Sequence, residues 1–377
     1  MKILFIGGTG RLSKDVASLA YKQGNEVFLL TRGTLGRKKF VQNGYHMLYG
    51  NIRDRESCKK ILDGKYFDVI IDFLTFDISQ LENTLDIIEN HYMQYIFIST
   101  ATVYKKKDEN EIISEYSTDI GNGKWEYALK KYRCEVHLKK YFSGKPNTHY
   151  TIIRPYVTYG NTRVPYPIVP MDTTKEWSFL DRIIHDQPIP VFDNGKTITT
   201  LTHTRDFAKG VVGLFGNPKA YEEAFHITNG ENSTWEQVLC AIEHALKKNI
   251  VYLNVSQKEI CDILPEYCGI LEGDKGTNMR FSNSKIVSVV PEFVCEVSLE
   301  AGIEEMVKFY LEHHDMQIID YHWQGEMDKL CLKKGLSIDR KYIFSSFKER
   351  FDYYSGRHNW IDCLVRNMKR LKKRLED

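Results

Sequence analysis

The sequence predicts an α/β protein: a doubly wound parallel sheet, a smaller second lobe and an α-helical C-terminal extension. Three observations carry this. Lys2–Ile6 is an apolar run that leads straight into a glycine-rich turn, Gly7-Gly8-Thr9-Gly10. Apolar runs then alternate with stretches of helical period as far as Arg154. From about Tyr159 the alternation stops and prolines accumulate. Continuous apolar strands separated by helices describe a parallel sheet covered on both faces.

The elements follow in order. Leu12 to Gln23 is amphipathic and reads as the helix after the first strand. Glu26–Leu30, Phe67–Phe73, Tyr95–Ser99 and Tyr150–Arg154 are apolar runs of strand length. Ile78–Asn90 repeats its apolar residues at helical spacing, and Trp125–Tyr141 reads as a long helix. Asn161–Lys175 reads as a loop, Glu176–His185 as a helix, and Pro188–Asn194 as a short strand ending at a turn. Thr204–Phe215 reads as a helix returning to the main sheet, with Ala224–Ile227 its last strand.

The 377 residues suit about two to three domains. A net charge of +2 carries no global signature of nucleic-acid or membrane binding. Shares of 42% hydrophobic and 27% charged residues are those of a soluble globular protein. The eight cysteines (58, 134, 240, 261, 268, 295, 331 and 363) include no CxxC pair, so reduced thiols are expected over a disulfide framework or a zinc site. The N-terminus enters a strand with no signal-peptide pattern, and no apolar run reaches the about 18 residues of a membrane span. A cytoplasmic protein is expected.

Ligands of parallel sheets sit at the carboxyl ends of the strands, and the Gly7–Gly10 turn stands at the first such end. Gly7 and Gly10 permit a tight turn and close backbone approach, so the amides of the next helix can face a pyrophosphate. Thr9, Arg11 and Leu12 complete this turn, and Ser13 stands where a third glycine is usual. The second strand ends in Thr31-Arg32-Gly33, where an acid would hold an adenosine 2′-hydroxyl. Arginine there, with Arg11 and Arg37-Lys38-Lys39 nearby, suits a 2′-phosphate. The cofactor expectation leans to NADP, with NAD the alternative if Arg32 stacks on adenine or is merely solvated.

The chemistry is expected at a later strand end. Thr100 follows Tyr95–Ser99, and Tyr127 and Lys131 lie one helical turn apart on one face. A free phenol, with a pKa of about 10, is a poor base at neutral pH. A neighbouring ammonium and an oxidised nicotinamide favour phenolate and bring it into range for acid–base work. Thr100 can hydrogen-bond the same substrate oxygen. Among 23 tyrosines the spacing also arises by chance, as at Tyr141–Lys145, a helix exit with no strand-end hydroxyl before it.

These residues carry a resemblance. The chain resembles the extended short-chain dehydrogenase/reductase superfamily, in its NAD-dependent epimerase/dehydratase group, and looks like a divergent member. The likeness spans about residues 1–310: the glycine turn, Gly50-Asn-Ile-Arg-Asp54, Ser99–Tyr104, Tyr127 with Lys131, Arg154-Pro-Tyr-Val-Thr-Tyr-Gly160, Thr202-His-Thr-Arg-Asp206 and Ser298-Leu-Glu-Ala-Gly302. It implies a Rossmann-like fold in which Asn51 and Ile52 line the adenine. It implies that Phe73, Leu74 and Thr75 approach the cofactor, and that Tyr156 joins Gly7, Thr9, Gly10, Arg11, Leu12, Arg32, Tyr127 and Lys131 in binding it. Thr100, Tyr127 and Lys131 would form the catalytic triad. The implied division is 1–158 with about 200–228 as dinucleotide-binding domain, 159–199 with 229–312 as substrate lobe, and 313–377 as extension.

The departures redirect the function. Family 4,6-dehydratases carry an acid just after the catalytic hydroxyl; Ala101-Thr102 stand here, so dehydration is disfavoured and an epimerase or a ketoreductase fits better. An asparagine that often contacts the substrate diphosphate is Val157, and an arginine that clamps it is Leu271. Arg163, Arg280 or Lys275 are candidate replacements. The segment Asp72-Phe-Leu-Thr-Phe-Asp77 is more similar to a branch that includes chloroplast stem-loop RNA-binding relatives.

In the extension, Trp360, Ile361, Leu364, Val365, Met368, Leu371 and Leu375 form one helical stripe opposite six basic residues. Packing on its own domain or a second subunit, contact with a membrane surface or nucleic acid, and covering a partner's substrate pocket all stand as readings. His313, His314, Asp315 and His322 match no standard ligand spacing, so no metal is expected. The expectation is an NAD(P)-dependent oxidoreductase or epimerase acting on a sugar, nucleotide-activated in the usual family form. Nucleic acid is disfavoured as a partner, and a homodimer is left open. The rival is a non-catalytic RNA-binding or regulatory protein on the same fold.

Overall fold

Seven parallel strands form the central sheet in the computed structural model, which describes residues 1–33, 44–105, 110–116 and 120–358. They are β1 (Lys2–Ile6), β2 (Glu26–Thr31), β3 (His46–Tyr49), β4 (Phe67–Asp72), β5 (Tyr92–Ile98), β6 (His149–Pro155) and β7 (Glu223–Ile227). Their spatial order is β7-β6-β5-β4-β1-β2-β3. The order reverses at β1, where Ile3 pairs with Val27 on one side and Val69 on the other. Such a reversal opens a crevice at the strands' carboxyl ends.

The apolar runs are continuous because both faces are covered. Ile3 and Phe5 of β1 pack on one face with helices α1 (Ser13–Lys22) and α5 (Thr204–Gly213), through Val16, Ala20, Phe207 and Val211. Leu4 and Ile6 pack on the other face with α2 (Arg55–Leu62), α3 (Ile78–Ile87) and α4 (Glu126–Phe142), through Cys58, Leu62, Leu81, Leu85 and Leu138. Each buried Val, Leu, Ile or Phe side chain among them contributes about 1.5–3 kcal/mol. The expected strands and helices of the first half lie within a few residues of their predicted bounds. The edge strand β3 and helix α2 were not predicted: His46–Tyr49 has no apolar run, and its burial is partial.

The chain forms two compact units. The first comprises Met1–Gly160, Ile198–Ser233 and Glu272–Ser298; the second comprises Asn161–Thr197, Thr234–Leu271 and Leu299–Asp377. The sequence boundaries assign all of 229–312 to a substrate lobe, whereas Glu272–Ser298 belongs with the sheet. Arg280–Phe281 pairs in parallel with Ile112–Ile113, and Asn283 Nδ2 donates to Thr228 O at 2.6 Å. Ile286 enters the same core cluster as Ile3 and Phe5.

The described part of the extension is built into the second unit. The helices Tyr321–Lys333 and Phe347–Arg357 cross at glycines: a Cβ on Gly356 would lie 2.0 Å from His322 O. Arg182, fully buried on the helix Trp177–Ile184, donates to Asp328 at 2.8 Å and Gln324 at 3.0 Å. Tyr353 OH donates to the other Asp328 oxygen at 2.7 Å. His313 Nδ1 lies 2.8 Å from Phe309 O at a helix end, and among the described residues no His/Cys/Asp/Glu group could hold a metal. No described helix is long and apolar enough to cross a membrane. The stripe from Trp360 to Leu375 lies outside the described residues.

Removing one partner of a buried ion pair leaves an uncompensated charge. Asp328→Ala is therefore expected to lower the unfolding free energy by about 3–5 kcal/mol in urea titrations. The double change Arg182→Met with Asp328→Leu should cost less.

Candidate functional site

The first strand end has a turn that only glycine can make. Gly7 has φ +84°, and a Cβ there would lie 2.6 Å from Leu74 Cγ. Gly7 N donates to Leu30 O at 3.2 Å, which holds the turn against β2. Ser13 does more than replace a glycine. Its hydroxyl donates to Gly7 O at 2.7 Å and accepts from Gly10 N at 2.9 Å, so it staples the loop it follows. Leu12 caps α1 without a side-chain bond to the first-turn amides, leaving Thr9, Arg11 and Leu12 half-buried around this turn. A cradle that a Cβ would fill, opening onto a helix start, fits a pyrophosphate.

Around it stand the ends of β2, β3 and β4. β2 closes on Thr31 with exposed Arg32 next; Arg37, Lys38 and Lys39 lie outside the described residues. After β3, Asn51 is exposed, whereas Ile52 is buried in the core and presents its carbonyl to Asn83 Nδ2 at 2.7 Å. Of the residues after β4, Phe73 stacks on Phe5 at 6.4 Å on the core side. Leu74 is exposed over Gly7. Buried Asp72 orders this loop, accepting from Leu74 N (2.7 Å), Thr75 Oγ1 (2.6 Å) and Tyr95 OH (2.9 Å).

Lys131 is sunk beneath the ends of β4 and β5. Its Nζ donates to Thr75 O at 2.6 Å and Ile98 O at 2.7 Å. Burial lowers its pKa from 10.5 to about 8, while Asp72 opposes the shift. The ammonium also faces the Phe76 ring at 4.5 Å, and that ring lies 6.5 Å from the half-buried Tyr127 ring. Trp125 packs on Tyr127 from the other side at 5.0 Å. Thr100, two residues past Ile98, is buried and caps the turn Ala101–Val103, its Oγ1 3.1 Å from Thr102 Oγ1. Lys131 and Thr100 thus meet the end of β5, and Phe76 touches both Lys131 and Tyr127.

A buried polar chain that sequence reasoning missed runs behind them. Ser99 Oγ donates to Glu135 at 2.5 Å, and Arg154 grips the same carboxylate through Nε (3.0 Å) and Nη2 (2.6 Å). Arg154 Nη1 donates to Tyr104 OH at 2.9 Å, and that hydroxyl lies 3.3 Å from His226 Nδ1. His226 Nε2 reaches Ser282 O, and burial pushes the imidazole down to about 4, so it is neutral. The available signal was the spacing of Glu135, one turn beyond Lys131 on the same helix face.

Residues 3–228 match the NAD dependent epimerase/dehydratase family. The chain belongs to that family. It is 28% identical over 246 residues to the chloroplast stem-loop binding protein of 41 kDa b of Arabidopsis thaliana, covering 62% of this chain and 60% of that protein. It is 36% identical over 83 residues to eugenol synthase 2 of Clarkia breweri, covering 20% of this chain. The chain spans 60% and 26% of the lengths of these two curated relatives. Among solved structures, a UDP-glucuronic acid 4-epimerase from Bacillus cereus in complex with NAD superposes with a TM-score of 0.66 at 16% identity, over 84% of this chain and 98% of that one. A UDP-glucose 4-epimerase from Bifidobacterium longum in complex with NAD+ and UDP gives 0.66 at 15% identity, over 84% and 100%. These likenesses are of fold.

Tyr156 is buried beside Thr199 and Asp274, its hydroxyl short of hydrogen-bond geometry to either. Asp274 is itself buried, and burial raises its pKa against the pull of Lys275, whose Nζ is 2.6 Å away. The Lys275 ammonium also lies 3.5 Å from the Tyr156 ring centre. Val157 and Leu271 are buried apolar residues, and Arg280 Nη1 donates to Asn110 at 3.4 Å.

The low pKa of Lys131 has a testable sign. An amine whose folded pKa lies below its unfolded value weakens the fold while charged, and stability rises as pH climbs from about 8 towards 10.5. Relative to Lys131→Met, the unmodified chain should therefore gain unfolding free energy across this interval in denaturant titrations. A pH-independent difference would contradict the assignment.

Proposed function

We propose that this chain is an NAD(P)-dependent sugar oxidoreductase of the epimerase type, with Tyr127 as acid/base, Lys131 as its electrostatic partner and Thr100 as orienter of the reacting oxygen. The observation that carries the proposal is the anchoring of Lys131 at the end of β5, beside Thr100 and one helical turn from Tyr127. Near neutral pH an amine of pKa about 8 is mostly charged, and a fixed ammonium favours the Tyr127 phenolate.

The residues present fit a dinucleotide. Gly7, Thr9, Gly10, Arg11 and Leu12 would hold the pyrophosphate, Arg32 and Asn51 the adenosine, and Leu74 and Tyr156 the nicotinamide side. When bound, the nicotinamide supplies the hydride acceptor. The chain's own part is proton transfer: Thr100 and Tyr127 hydrogen-bond the substrate oxygen, and Tyr127 takes its proton as a carbonyl forms. Ketoreduction runs this step once in reverse and releases oxidised cofactor; epimerisation runs it both ways with cofactor retained. The solved neighbours, a UDP-glucuronic acid 4-epimerase with NAD and a UDP-glucose 4-epimerase with NAD+ and UDP, favour epimerisation of a nucleotide-activated sugar. Arg32 in place of an acid favours NADP.

The printed name of the stem-loop binding relative favours a second reading, RNA binding on the same fold. Tyr127→Phe separates the two. On the first reading it lowers kcat by about 10²–10⁴-fold with cofactor binding kept, assayed over a panel of UDP-sugars. On the second it changes nothing, and salt-sensitive RNA retention persists. A net absorbance change at 340 nm during turnover would exclude epimerisation. Arg32→Asp is expected to shift dinucleotide preference from NADP towards NAD in fluorescence titrations; unchanged preference would refute the role given to Arg32.

A further inference from the structure

Asp72 ends β4 with its side chain wholly buried. A buried carboxylate is costly unless donors and an opposite charge compensate it. Four donors surround this one: the amides of Leu74 (2.7 Å) and Thr75 (3.1 Å) and the hydroxyls of Thr75 (2.6 Å) and Tyr95 (2.9 Å). The opposite charge is one residue away. Thr75 donates its amide and hydroxyl to Asp72, and its carbonyl accepts from Lys131 Nζ at 2.6 Å.

The other groups around Lys131 are compensated or neutral. Its own helix brings Tyr127, Cys134 and Glu135. Glu135 is paired with Arg154 at 2.6 Å, and burial pushes the Cys134 thiol up to about 12. On the strand side, burial raises the Tyr95 phenol, and Thr100 carries no charge. After β4, Asp77 is occupied with Ser79 Oγ (2.8 Å) and Gln80 N (3.0 Å) at the start of α3. The Phe76 and Phe97 rings, at 4.5 and 4.9 Å, fill the space against the ammonium. Burial draws Lys131 down to about 8, and Asp72 comes first among the charges that oppose the fall.

We propose that Asp72 is a positioning residue, the counter-charge that keeps the buried Lys131 ammonium protonated and fixed to the Thr75 carbonyl. A nearby opposite charge favours the charged form of an amine. Asp72 acts through Lys131, so its bearing on catalysis rests on the role given above to Lys131 beside Tyr127. Its hold on Lys131 does not. Asparagine separates charge from loop order. Its oxygen can accept from the two amides, and its NH₂ can donate to the two hydroxyls, which accept as well as donate.

The titration of Lys131 is read from the unfolding free energy of a chain against its Lys131→Met counterpart across pH. In the parent the gain with rising pH starts at about 8. In Asp72→Asn it is expected to start at about 7 or lower, because the amine has lost its counter-charge. Tyr95→Phe removes one donor to Asp72 and leaves the charge, so its onset should match the parent. An unmoved onset in Asp72→Asn, or an equal displacement in Tyr95→Phe, would overturn the proposal. A second comparison holds even where Asp72→Asn folds poorly. Near neutral pH it should lower the melting temperature more in the parent than in the Lys131→Met background, where no ammonium is left uncompensated. Equal losses in both backgrounds would also overturn it. Turnover over the UDP-sugar panel answers the separate question: kcat near neutral pH should fall about three- to tenfold in Asp72→Asn. A displaced onset with unchanged kcat would leave the hold of Asp72 on Lys131 intact and remove Lys131 from the catalytic reading.

Discussion

The bond between Glu135 and Arg154 ties helix α4 to strand β6 at the carboxyl end of the sheet. Helix α4 presents Lys131 and Glu135 to the sheet one turn apart, and both are buried. Glu135 is clasped by Arg154 from β6 and by Ser99 from the end of β5. Lys131 is held by the Ile98 and Thr75 carbonyls. A buried pair of this kind adds little net stability over an apolar pair, but breaking it is expensive. Its effect is positional: two buried charges on α4 are pinned to the ends of β4, β5 and β6.

The same logic continues outward. Arg154 passes a hydrogen bond to Tyr104, which meets a neutral His226, whose far nitrogen reaches Ser282. Ser282 and Asn283 belong to a segment far along the chain that the sheet recruits, which is why Glu272–Ser298 joins the first unit. Beside the glycine turn Asp72 does the comparable work, ordering the loop from Leu74 to Thr75 so that Leu74 covers Gly7 and Thr75 offers its carbonyl to Lys131. Two buried carboxylates, Asp72 and Glu135, thus organise the loops that flank the strand ends.

The second unit uses a buried charge in the same way. Arg182 binds Asp328 and Gln324, and Tyr353 completes Asp328, so the extension's two described helices are tied to the helix Trp177–Ile184. The glycines at 325 and 356 let the two extension helices approach closely enough for that arrangement.

By itself the sequence determined the sheet, its helices and the strand ends where chemistry can occur. Those features are encoded locally, in apolar periodicity and in glycines with left-handed backbone, so the Gly7 turn, the place of Thr100 after a strand and that of Tyr127 and Lys131 on one helix were legible. The edge strand β3 was not, because a half-exposed strand has no apolar run to betray it. Tertiary structure alone decided that Phe73 turns towards the core, that Phe76 touches both Tyr127 and Lys131, and that Glu135, Arg154 and His226 form one chain. It also decided the company of Tyr156 and the assignment of the extension to the second unit. Each of these depends on contacts between residues distant in sequence. The energy of a buried charge lies in its partner, and no local pattern names that partner.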